Sequence, residues 1–191
     1  FLGAEGSTSR IGRTRTAPNP DDGTPVNFAF TSCQNFEQAF YGGWARMLKD
    51  DRAQPEEQRL HFILHLGDFI YERCWHTRID GSPQSRTVPP FPDGVTTDEN
   101  RYAISLADYR HLYHTYLDDP HLQDARANWP FICTWDDHEF ANNAFQAYST
   151  YADKALLEPQ RKQDANQAWF EYIPTVLSQL KGQPAHDFTP E

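Results

Sequence analysis

The sequence predicts an α/β protein with a β-sheet core and flanking helices. Two observations carry that expectation. Short β-prone runs alternate with helical patterns in the order strand, helix, strand, helix, strand, helix. Such alternation builds right-handed crossovers and a largely parallel sheet with helices packed on it. Each of the three strand-like runs also ends at a residue that could bind a cation or act in catalysis: Cys33, Asp68 and Asp137. Sheets of this kind bind ligands outside the carboxyl ends of their strands, so a site is expected along that edge.

Residues 1–25 are rich in Gly, Ser, Thr and Pro without apolar periodicity, and read as a tail or linker. Val26 to Ser32 is β-prone and stops at Cys33. Phe36, Phe40, Trp44, Met47 and Leu48 recur at helical spacing and predict an amphipathic helix. Leu60 to Leu66 forms the second strand, ending at Gly67-Asp68. The segment 76–104, with Pro83, Pro89, Pro90 and Pro92, is expected as a long loop. Ser105-Leu106-Ala107-Asp108 has the pattern of a capping box, and the helix it opens is expected to close at Pro120. Phe131 to Trp135 is the third strand and runs into Asp136-Asp137-His138-Glu139. Further helical patterns cover roughly 143–157 and 160–173.

Bulk properties remove several classes of function. The chain has 191 residues, 38% hydrophobic and 14% aromatic, which suits one domain with a real core. Its net charge of −10 argues against a broad nucleic-acid surface. No apolar run approaches the ~20 residues of a transmembrane segment. The opening Phe1-Leu2-Gly3, without Met or a basic leader, is the expectation for a processed or trimmed chain. Three cysteines are too few for a disulfide scaffold, though one pair could close. P-loop, GxGxxG, GxSxG and HExxH motifs are absent, which removes nucleotide kinases, dinucleotide enzymes, serine hydrolases and zincins as leading readings.

Each candidate residue has a structural reading beside the functional one. Asp68 after Gly67 suits a turn, but a carboxylate can also bridge two cations through its two oxygens. Tyr71 suits packing, but a phenolate is a hard anionic ligand for a ferric ion. The adjacent acids of Trp135-Asp136-Asp137-His138-Glu139 repel one another, and a cation would offset them; a solvated helix cap is the alternative. Asn142 and Asn143 add neutral oxygen donors one turn later. Cys33 is either a small buried hydrophobe or a thiolate ligand level with Asp68 and Asp137.

Three segments in order then resemble the PhoD-like alkaline phosphatases, relatives of the calcineurin-like metallophosphoesterases and purple acid phosphatases. They are Thr31-Ser32-Cys33-Gln34-Asn35, His65-Leu66-Gly67-Asp68-Phe69-Ile70-Tyr71-Glu72, and Thr134-Trp135-Asp136-Asp137-His138-Glu139 with Asn142-Asn143. Gly12 to Pro18, Tyr109 to Tyr113 and Ala168 to Pro174 agree as well, so the resemblance covers nearly the whole chain. It implies metal-dependent phosphoester hydrolysis by a metal-bound water or hydroxide, on phosphomonoesters or phosphodiesters. By position, Asp68 would bridge the metals, and Cys33 and Tyr71 would bind Fe3+. Asp137 would bind a second metal, Ca2+, with Asn142 or Asn143 contributing, and His138 would act near the phosphate as proton donor or phosphate ligand.

The resemblance further implies that residues 26–191 form the first half of a calcineurin-like sandwich. On that reading a companion chain or fragment carries the second half, and residues 1–25 lead from an N-terminal module. A periplasmic or secreted location is implied too. Two other readings are carried: a phospholipase D-like phosphodiesterase on the same scaffold, and a non-catalytic, calcium-stabilised secreted binding domain.

Overall fold

The computed structural model describes residues 8–38, 40–75, 86–150 and 155–174. Among the described residues it is a mixed α/β structure of four α-helices and small sheets, divided into two compact units that each draw on separate stretches of the chain. The first unit comprises Phe1–Thr31, Tyr41–His65 and Leu117–Ile132; the second comprises Ser32–Phe40, Leu66–Tyr116 and Cys133–Glu191.

The first unit is built on the three expected strands. β1 (Phe28–Thr31), β2 (Phe62–His65) and β6 (Phe131–Cys133) lie in the order β1-β2-β6, with β1 and β2 parallel and Phe28 opposite Phe62. α1 (Gly42–Ala53) packs on α3 (Pro120–Asn128), and Trp44 of α1 meets Phe131 with ring centroids 5.2 Å apart. The helix begins later than the apolar spacing from Phe36 predicts. Asn35 caps the Glu37 N–H at 2.9 Å in a local turn, and such side-chain-to-backbone bonds compete with helix.

Pro120 opens a helix; it does not simply close one. α2 (Leu106–Leu117) stops before it, and α3 begins on it, with Asp119 accepting from the N–H groups of His121 and Leu122. Proline at the first helical position loses no hydrogen bond, because that N–H has no intrahelical acceptor. Asp51 joins the elements of this unit: its carboxylate accepts from the Leu60 N–H at 2.7 Å and from the Trp129 indole at 3.1 Å.

His65 is fully buried at the end of β2. Burial, with the charge of Arg126, holds its imidazole neutral and lowers its pKa from 6.5 to about 4. The unfolded chain therefore takes up this proton first as pH falls. The stability contributed at neutral pH, about 3 kcal/mol at most, should be lost progressively between about pH 6.5 and pH 4. Denaturant midpoints across that window should fall less steeply in His65→Leu than in the parent.

The second unit holds α2, α4 (Pro159–Tyr172) and two small antiparallel sheets. β3 (Arg73–Trp75), β5 (Asn100–Tyr102) and β4 (Val95–Thr96) form one sheet, so part of the expected loop is ordered as strands. Residues 76–85 of that segment lie outside the described residues. β7 (Tyr148–Ser149) pairs with β8 (Leu156–Leu157) where the sequence predicts helix over 143–157; residues 151–154 are not described. Asn143 and Gln146 both take φ near +53°, a left-handed conformation that ends helical winding. The core of this unit is aromatic, with Tyr109, Tyr113, Tyr116 and Phe140 all buried. The Tyr109 hydroxyl donates to the Phe140 carbonyl at 2.7 Å and accepts from Arg161 at 3.0 Å. All three cysteines are free thiols, with Cys74 buried and its thiol pushed up by that burial. The pairing left open by the sequence is therefore not formed.

Candidate metal centre

Every residue expected at the site belongs to the second unit. The segments that follow β1 and β2 in sequence run side by side there. The Cys33 N–H donates to the Gly67 carbonyl at 3.2 Å, and the Gln34 N–H to the Asp68 carbonyl at 3.1 Å. The Gln34 side chain adds a bond to the Phe69 carbonyl at 3.0 Å. Cys33 and Asp68 both adopt positive φ, 59° and 53°, and Gly67 sits at 102°. Non-glycine residues held in this region are strained and cluster at functional sites. Gly67 is required outright: a Cβ there would lie 2.5 Å from the Cβ and backbone nitrogen of Asp136.

The turn brings the donor atoms together. Asp68 Oδ2 accepts from Cys33 Sγ at 3.2 Å and from the Tyr71 hydroxyl at 3.1 Å. Its other oxygen, Oδ1, is buried with no hydrogen-bond partner. Ligand atoms of Asp68, Asp137 and His138 all lie within 4.8 Å of one another. A buried carboxylate oxygen without a donor is costly in a protein interior, and a cation satisfies it. Thiol, phenol and two carboxylates form a donor set suited to such an ion, so the residues present fit a metal centre. Burial, then the charge of Asp68 and the neighbouring Cys33, pushes the Tyr71 phenol well above its ordinary range. Its loss of a proton therefore depends on added positive charge.

Asn142 and Asn143 enter through their backbones. The Asn142 N–H donates to Glu72 Oε1 at 2.8 Å, and the Asn143 N–H donates to Asp137 Oδ2. The Asn142 carbonyl accepts from Thr150 at 2.6 Å.

Two buried acids that sequence reasoning left without a role organise the site. Glu139, 4% exposed, accepts from the backbone N–H groups of Asp68 at 3.1 Å, Phe69 at 2.5 Å and Asp136 at 2.7 Å. One carboxylate thus ties the Asp68 turn to the Asp136–Asp137 turn. Burial raises its pKa to about 7, against the pull of those three N–H donors. Glu72, fully buried, accepts from His138 Nδ1 at 2.7 Å as well as from Asn142. A carboxylate only accepts, so Nδ1 carries the proton and Nε2 is turned to other partners. Burial opposes the imidazolium, but the Glu72 hydrogen bond and charge, with Asp68 and Asp137, outweigh it and hold the pKa at about 9. The Tyr71 ring lies against the imidazole, centroids 4.1 Å apart.

Further support comes from Tyr116, whose hydroxyl accepts from the Phe36 and Tyr71 N–H groups at 3.2 and 3.1 Å. Glu37, 2% exposed, accepts from the Trp75 N–H at 2.8 Å and the Val88 N–H at 3.1 Å. For Glu37, Glu72 and Tyr116 the signal in the sequence was a polar group among aromatic and apolar neighbours, whereas Glu139 was one acid in a polar run. Nothing local revealed which distant backbone each one serves.

Comparison with known proteins places the chain among relatives. The PhoD-like phosphatase family profile matches residues 28–187. Alkaline phosphatase D of Bacillus subtilis (strain 168) is 32% identical over 177 residues, covering 92% of this chain and 27% of that protein. A solved structure of PhoD matches with a TM-score of 0.69 and 31% identity, covering 90% of this chain and 30% of its own. The chain thus spans less than a third of the length of either relative.

Proposed function

The chain belongs to the PhoD-like phosphatase family, and from that premise we propose that the residues converging on Asp68 hold the metal ions of a phosphoester hydrolase. The observation that carries this reading is the orphaned Asp68 Oδ1, buried beside Asp137 and His138 while Oδ2 is held by Cys33 and Tyr71. In this reading the Asp68 carboxylate would be a ligand shared by the cations. Cys33 and Tyr71 would hold Fe3+, and Asp137 would hold Ca2+ with help from Asn142 and Asn143. Bound there, the cations would neutralise phosphate oxygens and make an attacking water more acidic.

The protein's own groups supply the rest. Glu72 fixes the imidazole of His138 through Nδ1, leaving Nε2–H to donate a proton to the departing alcohol oxygen. Glu139 keeps the two ligand turns in register. Residues 26–191 contribute this half of the catalytic domain and residues 1–25 lead into it, with further polypeptide completing the donor set; the share of the relatives' length covered supports this. Substrates are phosphomonoesters or phosphodiesters, met in the periplasm or outside the cell. Among the described residues no helix is long and apolar enough to cross a membrane.

Hydrolysis of p-nitrophenyl phosphate and of bis(p-nitrophenyl) phosphate, by the polypeptide carrying these residues and loaded with Fe3+ and Ca2+, tests the proposal. Release of nitrophenolate from either ester is expected, and the preferred ester assigns the class. Failure on both, with the metals bound, would remove the enzymatic reading. The ferric assignment has its own readout. A visible tyrosinate-to-iron band is expected in the iron-loaded protein and should vanish in Tyr71→Phe; a colourless iron-loaded parent would rule Tyr71 out as a ligand.

A further inference from the structure

The first unit contains a cavity of about 260 Å³ that shares no residue with the metal centre. Four arginines line it, Arg13, Arg15, Arg52 and Arg59, against two acids, Asp51 and Glu56. The acids do little to cancel them. The Asp51 carboxylate is turned to the Leu60 N–H and the Trp129 indole. Glu56 is 83% exposed and approaches Arg15 only at 3.8 Å.

The arginines, in contrast, are oriented by neutral groups or left open. Arg59 donates to the carbonyls of Gln54 and Arg52 at 3.0 and 3.2 Å. Arg15 donates to the Glu56 carbonyl at 3.4 Å and lies 3.5 Å from His61 Nε2. Carbonyl partners fix a guanidinium without neutralising it. The guanidinium groups of Arg13 and Arg52 make no hydrogen bond or ion pair with another described residue. Arg13 is nonetheless anchored, since its backbone N–H donates to the Ala127 carbonyl at 2.8 Å. In a chain of net charge −10, this is a concave site with an excess of two positive charges.

We propose that this cavity is a second oxyanion site, taking a free inorganic tetrahedral dianion of the phosphate class. Guanidinium forks match the paired oxygens of such an ion, and their charge is not lost on binding. The volume lies just below the range of pockets for drug-sized ligands, which suits one small anion and its waters. The site goes beyond the hydrolase reading and does not depend on turnover.

The test is calorimetric titration of the chelator-treated chain with orthophosphate at physiological ionic strength, which leaves the metal centre without its ions. One phosphate per chain is expected, with a phosphate-dependent rise in Tm that chloride at matched ionic strength does not reproduce. The double variant R13Q/R52Q should weaken binding by about tenfold or more, while Asp68→Asn should bind phosphate as the parent does. The proposal is overturned if phosphate does not bind, if chloride acts equally, or if R13Q/R52Q binds unchanged. Binding of glycerol phosphate without orthophosphate would overturn the assignment to a free inorganic ion. Loss of hydrolysis alone would leave every one of these outcomes as it stands.

Discussion

Asp68→Asn is expected to abolish metal retention and to lower phosphoester hydrolysis by at least about 10³-fold. The substitution preserves volume and removes one charge from the atom pair on which Cys33, Tyr71, Asp137 and His138 converge. An amide keeps one accepting oxygen for the Cys33 thiol and the Tyr71 hydroxyl, so its NH2 takes the place of Oδ1 and presents N–H donors where a cation needs a lone pair. Metal content after dialysis, measured beside the rate, separates the two consequences. Asp68→Asn that retains the parent's metal content and rate would show that Asp68 is a turn residue and no more.

Glu139→Ala should cost about 4 kcal/mol, because it leaves three backbone N–H groups at the site without their acceptor. In a protein of this size that is a fall in Tm of roughly 10 °C. Glu139→Gln keeps an amide oxygen for part of the set and should lose clearly less. The two variants together distinguish loss of an acceptor from loss of a charge. Equal destabilisation by both would point to the charge, and no destabilisation by either would remove Glu139 as the tie between the two ligand turns. Because Asp68 is one of the residues it holds, metal affinity should fall with stability in Glu139→Ala.

Much of the framework was legible in the sequence because it rests on short-range periodicity. The apolar runs of β1, β2 and β6, and the helices α2 and α4, appear where their patterns place them, with ends shifted by a few residues. Errors fall where a single residue has two uses. Pro120 ends one helical pattern and starts α3, because a proline at the first helical position forfeits nothing. Over 143–157 the spacing resembles a helix, yet Asn143 and Gln146 are left-handed and β7 pairs with β8. The small sheet of β3, β4 and β5 went unread because strands of two or three residues carry no periodicity to detect.

The site divides along the same line. From sequence alone came the candidate donors proposed for the centre: Cys33, Asp68, Tyr71 and Asp137, with His138 beside them, each placed just beyond an apolar strand where the chain must turn. Donor chemistry belongs to the residue type, so it can be read without coordinates. Tertiary structure alone decided which partners those donors have. It brought Glu72 to His138 across 66 positions and Glu139 to the Asp68 N–H across 71, and it left Asp68 Oδ1 bare. It also turned Asn142 and Asn143 so that their backbone N–H groups donate to Glu72 and Asp137. A buried carboxylate satisfies whichever N–H groups the fold delivers to it, and that delivery is a long-range property no local spacing encodes.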